Sequence, residues 1–237
     1  MIKNYNIIAN LLNYELFAKI DIMFFMKVIA LSCSPSRGRN SDSMLDNFIM
    51  GIKEVSGIEV EKIYLEDIEI ENYNYQNSKG TNENEVKFRE LTEKIKDKNT
   101  GLVIATPTYN FSVPAHLKNF IDRLRFIALD MEHKNKIGQP VGKLKNLKTY
   151  FLVSGGTPVW AQKILFFTFP PFWLRGVFLY FGARVMGAFY TGDIRAFENK
   201  EVLNKCRIKG KKYAIKLLKD SPHGLLESVF WRPPQSK

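Results

Sequence analysis

The order of hydrophobic and polar positions predicts strands and helices that alternate along the chain. Continuously apolar runs at 28–31, 102–105 and 149–153 are typical of parallel strands that helices cover on both faces. The run at 58–63 alternates apolar and polar residues, which favours a strand at the edge of a sheet. A fifth strand is predicted at 184–191. The intervening helices are predicted at 43–55, 85–98, 114–127 and 200–218.

This alternation predicts an α/β fold of three layers, in which helices cover both faces of a doubly wound, five-stranded parallel sheet. The edge-like second strand fits the strand order 2-1-3-4-5. Ligands of such sheets bind outside the carboxyl ends of the strands, where the order reverses between the first and third strands. A site is therefore expected in the loops that follow the first, third and fourth strands.

The loop after the first strand reads SCSPSRGRNSDS at 32–43 and leads into a helix. Free backbone N–H groups and the positive end of the helix dipole can bind a phosphate group there. The loop matches neither GxxxxGK[ST] nor GxGxxG. A helix cap of serine and asparagine is the simpler interpretation, but one serine suffices for a cap and this loop has five. The sequence therefore favours a phosphate site.

Two further loops follow buried strands. The segment TPTYNFSVP at 106–114 is stiffened by two prolines and can present backbone groups and an aromatic ring to a flat heterocycle. In the alternative, Tyr109 and Phe111 merely fill the core. The segment VSGGTP at 153–158 has adjacent glycines, which let the main chain come close to a ligand. A plain turn is the alternative for this third loop.

Together, the segments SCSPSRGRNS, TPTYNFSVPAHLKNFIDRL and LVSGGTP resemble the NADPH-dependent FMN reductase family of flavodoxin-like flavoproteins. The resemblance spans 26–218 and implies a flavodoxin-like fold that binds FMN. It implies that the first loop holds the phosphate, the second runs along the isoalloxazine ring, and the third approaches the pyrimidine side of that ring. The cofactor-binding residues implied in this way are Ser34, Ser36, Arg37, Asn40 and Ser41, then Pro107, Thr108, Tyr109, Asn110 and Phe111, and finally Ser154, Gly155 and Gly156.

The activity implied by the resemblance is that of an FMN-dependent NAD(P)H oxidoreductase. Hydride would pass from NADPH or NADH to the flavin, and electrons would then pass to a quinone, a flavin or a similar small acceptor in a ping-pong sequence. The flavin carries this chemistry, so no catalytic side chain is required. His116 and Lys118 could contact a substrate, but capping or solvated roles are favoured. The alternatives are a non-catalytic FMN carrier that serves a separate reductase, and a divergent member that binds another aromatic phosphate.

Two departures from the family pattern narrow the expected function. Iron–sulfur relatives carry a compact cysteine motif after the second strand, whereas 64–80 contains no cysteine, so no cluster is expected. Electron-carrying flavodoxins are acidic, whereas the formal net charge here is +11. The charge therefore argues against a simple electron shuttle of that kind.

Composition limits the class of protein, the metal sites and the partners that are expected. The chain has 237 residues, of which 45% are hydrophobic and 25% charged, as in an ordinary soluble domain. Two distant cysteines and three scattered histidines give no metal-ligand spacing, so no metal site is expected. Reduced cysteines favour a cytoplasmic protein. The positive charge is attributed to lysines on solvated faces, and no nucleic-acid partner is expected.

The predicted organisation is an extension at 1–25, an FMN-binding domain at 26–219 and a tail at 220–237. The extension is either an amphipathic arm that packs on the domain or a partner, or an upstream addition to a chain that begins at Met26. The nearly uncharged segment 163–181 contains two adjacent prolines and is expected to form a broken helix, buried in the core or in a dimer interface. A homodimer or homotetramer is expected. An apolar lid or membrane-surface patch for lipophilic quinones is the less favoured alternative.

Overall fold

A computed structural model describes residues 26–74, 84–164 and 170–219. The predicted extension at 1–25 and tail at 220–237 lie outside these ranges. The described strands are β1 (Met26–Ser32), β2 (Ile58–Tyr64), β3 (Thr100–Pro107), β4 (Leu129–Lys134), β5 (Pro140–Gly142), β6 (Lys148–Ser154) and β7 (Arg184–Thr191). The described α-helices are α1 (Asn40–Lys53), α2 (Val86–Lys96), α3 (Ala115–Ala128), α4 (Val159–Ile164), α5 (Pro170–Tyr180) and α6 (Lys200–Leu218).

Five of the strands form one parallel sheet in the order β2-β1-β3-β6-β7, which confirms the predicted order 2-1-3-4-5. Alternate residues of β1 enter opposite layers. Ile29 and Leu31 pack with α2, α3 and α5, whereas Val28 and Ala30 pack with α1 and α6. Both faces of the central strands are therefore buried, and this explains their unbroken apolar runs. The three-layer α/β/α architecture is confirmed.

A two-stranded antiparallel sheet of β4 and β5 was not predicted from the sequence. In β4 only Leu129 is buried, and the residues at 131–134 are exposed. A strand with one buried residue produces no alternation of apolar and polar positions, so its sequence resembles that of a loop.

Pro170 and Pro171 begin α5 instead of interrupting a helix. Proline has no backbone N–H and is tolerated in the first turn, where that group has no intrahelical partner. Leu174 and Phe178 are buried against the sheet, which agrees with the predicted burial of this part of the segment. The preceding residues, 165–169, lie outside the described ranges.

None of the helices in the described residues is both long enough and apolar enough to cross a membrane.

A buried ion pair fixes the connection that leads from β2 to α2. Arg123 of α3 and Glu85 have side chains that are 0% and 1% exposed, and Arg123 Nη2 donates to Glu85 Oε2 at 2.5 Å. The second carboxylate oxygen of Glu85 accepts the N–H of Glu71 at 2.9 Å. Asn119 of α3 accepts the N–H of Tyr73 at 2.7 Å. The asparagine and arginine of LKNFIDR therefore hold the chain after β2 against α3.

The helices α1 and α6 touch each other backbone to backbone. A Cβ added at Gly51 of α1 would lie 1.9 Å from the carbonyl oxygen of Arg207 in α6. A Cβ added at Gly210 of α6 would lie 2.0 Å from the carbonyl oxygen of Phe48 in α1. Because both separations are far below van der Waals contact, this helix packing requires glycine at both positions.

Candidate functional site

The carboxyl ends of β1, β3 and β6 surround a cavity of about 360 Å³. Most of the residues predicted to bind a cofactor line it together, since all three predicted loops meet at this edge of the sheet. The predicted residues in the lining are Ser34, Ser36, Asn40, Ser41, Pro107, Thr108, Tyr109, Ser154, Gly155 and Gly156. Three other predicted residues, Arg37, Asn110 and Phe111, lie outside the lining.

The N-terminus of α1 brings backbone donors to this cavity. The first hydrogen bond of the helix runs from the N–H of Ser43 to the carbonyl of Arg39 at 2.8 Å. The N–H groups of Asn40, Ser41 and Asp42 therefore precede the hydrogen-bonded ladder of the helix. Arg39 is the N-cap residue and makes no side-chain cap hydrogen bond, so the simpler interpretation of this loop as a helix cap is not favoured. Donors at the positive end of a helix dipole suit an anion.

A buried carboxylate, Asp42, organises the loop before α1. Its oxygens accept the N–H of Gly38 at 2.7 Å and the hydroxyl of Ser32 at 2.8 Å, and Lys62 of β2 lies 2.9 Å away. Burial alone would raise the pKa of Asp42, but the hydrogen bonds from Gly38, Lys62 and Ser32 outweigh it and hold the pKa below its usual value. Asp42 therefore remains ionised and holds the loop in place. Sequence reasoning missed this role, because one aspartate in a serine-rich loop gives no distinct signal.

The two arginines of the first loop lie in different surroundings. Arg37 forms an ion pair with Asp67, and its guanidinium lies 4.1 Å from the ring centroid of Tyr64. Arg39 instead lines the cavity, and its guanidinium lies 5.1 Å from the ring centroid of Phe197. Arg37 is the arginine that the family resemblance implied, whereas Arg39 is the one that lines the cavity.

The side chain of Asn40 connects α1 to the segment after β7. Its Nδ2 donates to the carbonyl of Ile194 at 3.0 Å, and its Oδ1 accepts the N–H of Phe197 at 3.2 Å. Ile194 and Phe197 also line the cavity. This segment was not predicted as part of the site, because it follows the fifth strand and carries none of the glycine or serine patterns of the other loops.

Thr108 and Gly155 form another part of the cavity wall. A Cβ added at Gly155 would lie 2.9 Å from the hydroxyl oxygen of Tyr190 and 3.1 Å from Thr108 Oγ1. The Thr108 N–H donates to the carbonyl of Ser154 at 2.7 Å. Its Oγ1 is buried and makes no hydrogen bond within the described ranges. This wall is therefore compact and offers a hydroxyl that a ligand can satisfy.

The tip of the second loop is a tight turn in an uncommon backbone conformation. Asn110 and Phe111 have φ values of 48° and 62°, and Tyr109 and Ser112 exchange backbone hydrogen bonds of 2.9 Å. Asparagine tolerates this left-handed region, whereas phenylalanine rarely adopts it. Such strained backbone is concentrated at ligand sites. The side chain of Phe111 is 57% exposed.

His116 and Lys118 begin α3 beside this loop but do not line the cavity. Lys118 forms an ion pair with Asp122 at 2.6 Å on the exposed face of α3, which agrees with the favoured solvated role. Burial lowers the pKa of His116, although the Cys33 backbone and Glu66 act in the opposite direction. The imidazole is therefore held neutral near pH 7.

The arrangement fits the flavin that the sequence resemblance implies. At the N-terminus of α1 the lining offers helix N–H groups and the cation Arg39, which suit a phosphate group. The compact Thr108–Gly155 wall suits a flat ring with polar edges. Among the described residues that line the cavity, none carries a carboxylate that would repel an anion.

Comparisons with known proteins agree with this fit. The family described as NADPH-dependent FMN reductase matches residues 26–156. The FMN-dependent NADH:quinone oxidoreductase 1 of Hahella chejuensis is 46% identical over 70 residues, which cover 29% of this chain and 33% of that protein. An iron–sulfur flavoprotein of Archaeoglobus fulgidus is 32% identical over 104 residues, which cover 42% of this chain and 46% of that protein. The chain therefore spans less than half the length of these curated relatives.

Solved structures show the same fold. An azoreductase from Bacillus anthracis has a TM-score of 0.61 at 19% identity, and the match covers 81% of this chain and 99% of the azoreductase. An NAD(P)H:quinone oxidoreductase from Methanothermobacter marburgensis has a TM-score of 0.58 at 22% identity, with 78% and 98% covered. Because the family match extends over more than half of the 237 residues, this chain belongs to the NADPH-dependent FMN reductase family.

Proposed function

We propose that this protein is an FMN-dependent oxidoreductase that takes electrons from NADPH or NADH and delivers them to a small acceptor such as a quinone or a flavin. The observation that carries the proposal is the cavity at the carboxyl ends of β1, β3 and β6. It combines an anion site at the N-terminus of α1 with the compact Thr108–Gly155 wall. Family membership and the named quinone oxidoreductase relatives support the same reaction class.

In this proposal the residues of the chain bind and orient the cofactor. Ser36, Ser41 and the first N–H groups of α1 would hold the phosphate, while Ser34 shapes the loop by accepting the N–H of Ser36 at 3.1 Å. Thr108 and the backbone around Gly155 would contact the ring. When bound, FMN supplies the redox chemistry by accepting a hydride from the nicotinamide and passing two electrons to the acceptor.

The rim of the cavity favours an acceptor with an apolar or aromatic body. Tyr109 and Ile194 line the cavity and are 47% and 70% exposed. Trp160 lies in α4, directly after the third loop, and is 67% exposed. Exposed apolar groups in a cavity lining, here Tyr109 and Ile194, mark a binding surface. Because nicotinamide and acceptor would use the same opening in turn, we expect ping-pong kinetics.

The visible spectrum of the purified protein tests this function. We expect a yellow protein whose flavin absorbance bleaches rapidly when NADPH or NADH is added under argon and returns when a quinone is added. A flavin that stays oxidised with either nicotinamide would contradict the reductase and indicate an electron carrier. A folded protein that binds no added FMN would contradict both.

Replacing Gly155 with alanine is expected to weaken FMN binding by about tenfold or more. The new methyl group must displace the Tyr190 hydroxyl or Thr108, and overpacking of this kind costs about 1–3 kcal/mol. The Tyr190 hydroxyl donates to the carbonyl of Thr157 at 2.7 Å, so its displacement would also disturb the third loop. Fluorescence titration of the flavin-free protein with FMN measures the effect.

Gly176→Ala in α5 is the control. Gly176 does not line the cavity, and no heavy atom lies within 4 Å of a Cβ added there. We therefore expect the control to bind FMN within about threefold of the original protein. If Gly155→Ala also binds FMN within about threefold, the Thr108–Gly155 wall does not contact the cofactor.

A further inference from the structure

We propose that Arg39, positioned by Phe197 and Asn40, makes the cavity select the phosphorylated flavin over riboflavin. The inference rests on the proposed function, because it concerns the same cavity. It adds a specificity-determining residue of the first loop that was not among the predicted cofactor-binding residues, and a supporting segment after β7 that lies outside all three predicted loops.

The charges around the cavity single out Arg39. It is the only charged side chain among the described residues of the lining. No ion pair within the described ranges involves it, whereas Arg37 is paired with Asp67. The Asp42 carboxylate accepts hydrogen bonds from Gly38 and Ser32 and pairs with Lys62. It does not form an ion pair with Arg39. The guanidinium is therefore available to an anion that reaches the N-terminus of α1.

Phe197 restricts where the guanidinium can lie. The 5.1 Å separation between the guanidinium and the ring centroid is that of a cation–π contact. A stacked arginine has less conformational freedom to lose when it binds an anion than a freely rotating one. Arg39 is therefore partly pre-organised beside the uncapped N–H groups of α1.

Asn40 fixes the position of Phe197 relative to α1. Its two hydrogen bonds, to Ile194 and Phe197, join the first residue of α1 to the segment 193–198. That segment is itself held by Asp193, which accepts the N–H of Arg195 at 2.9 Å and the side-chain amide of Asn199 at 2.7 Å. Glu198 lies 3.7 Å from Arg195. Both acidic side chains of the segment, Asp193 and Glu198, therefore make contacts close to their own positions in the chain. The segment thus presents its aromatic ring, and no free carboxylate, to Arg39.

The test compares FMN with riboflavin in the full-length protein after its flavin has been removed. For Arg39→Gln, we expect FMN affinity to fall by about tenfold to a hundredfold, because a hydrogen-bonded charge is lost. Riboflavin affinity should stay within about threefold, because the ring-binding wall is unchanged. Phe197→Leu should reduce FMN affinity by a smaller factor, because the charge remains but is no longer held. Fluorescence quenching gives both affinities without any activity measurement.

Arg37→Gln is the matched control, since it removes the same charge from the same loop outside the cavity. We expect its FMN affinity to change by less than about threefold, as for an exposed ion pair. If Arg39→Gln keeps the original ratio of FMN to riboflavin affinity, or weakens both equally, the inference is overturned. If the original protein binds neither flavin, it is the proposed function that fails.

Discussion

Replacing Arg123 with methionine is expected to lower the free energy of unfolding by about 3–5 kcal/mol. The variant removes the Arg123 guanidinium from the Glu85 carboxylate, which is 1% exposed. It also weakens the attachment of the chain at 71–73, because Glu85 accepts the N–H of Glu71. Denaturant unfolding, followed by circular dichroism, measures the loss as a shift of the midpoint.

Lys205→Met is the control for this prediction. Lys205 and Glu201 form an ion pair at 2.5 Å on α6, but their side chains are 53% and 76% exposed. Water and salt screen such a pair, so we expect a change below about 1 kcal/mol. A similar loss in both variants would show that burial does not determine how much the Arg123–Glu85 pair contributes to the free energy of unfolding. The double variant Arg123→Met with Glu85→Leu should recover part of the loss, because no buried charge remains.

Replacing Gly51 with alanine should be the second most disruptive change, with a loss of about 2–3 kcal/mol or more. The new methyl group would lie 1.9 Å from the carbonyl oxygen of Arg207, so α1 and α6 must move apart. Gly210→Ala should act in the same way, because its methyl group meets the carbonyl of Phe48 at 2.0 Å. A backbone atom cannot rotate out of the way as the end of a side chain can. Thermal unfolding of both variants tests the expectation.

Gly176→Ala in α5 separates this steric effect from the ordinary effect of removing a helical glycine. No heavy atom lies within 4 Å of a Cβ added at Gly176. Alanine is favoured over glycine inside a helix by about 1 kcal/mol, so this variant should be as stable as the original or more so. If all three alanine variants behave alike, the contact between α1 and α6 is not as tight as the structure indicates.

The sheet could be predicted from the sequence because its strands are buried on both faces. Such burial produces the apolar runs of β1, β3 and β6, and the exposed edge produces the alternation of β2. The strand β7 was predicted with its observed bounds, Arg184–Thr191. The carboxyl ends of these strands then determine where the three predicted loops meet. Most of the lining of the cavity follows from that topology alone.

The features of the candidate site that were not predicted depend on contacts between residues that are distant in sequence. Arg37 and Arg39 are two positions apart and chemically identical, and only the placement of Asp67 and Phe197 distinguishes them. The role of Asn40 depends in the same way on Ile194 and Phe197, more than 150 positions along the chain. Neither partner produces a local pattern. For this reason the sequence predicted the loop before α1 as part of the site but not the segment after β7 that contacts it.

The glycine contact between α1 and α6 has a consequence for how the cavity keeps its dimensions. The leading end of α1 supplies Asn40, and α6 directly follows the stretch that contains Phe197. Gly51 lies about three helical turns from Asn40 along α1. The close contact between the two helices therefore sets the separation between the N-terminus of α1 and the stretch that contains Phe197. Loss of either glycine would change the width of the cavity at this point, although neither glycine lines it, and compensating substitutions would be needed at residues that the glycines do not touch.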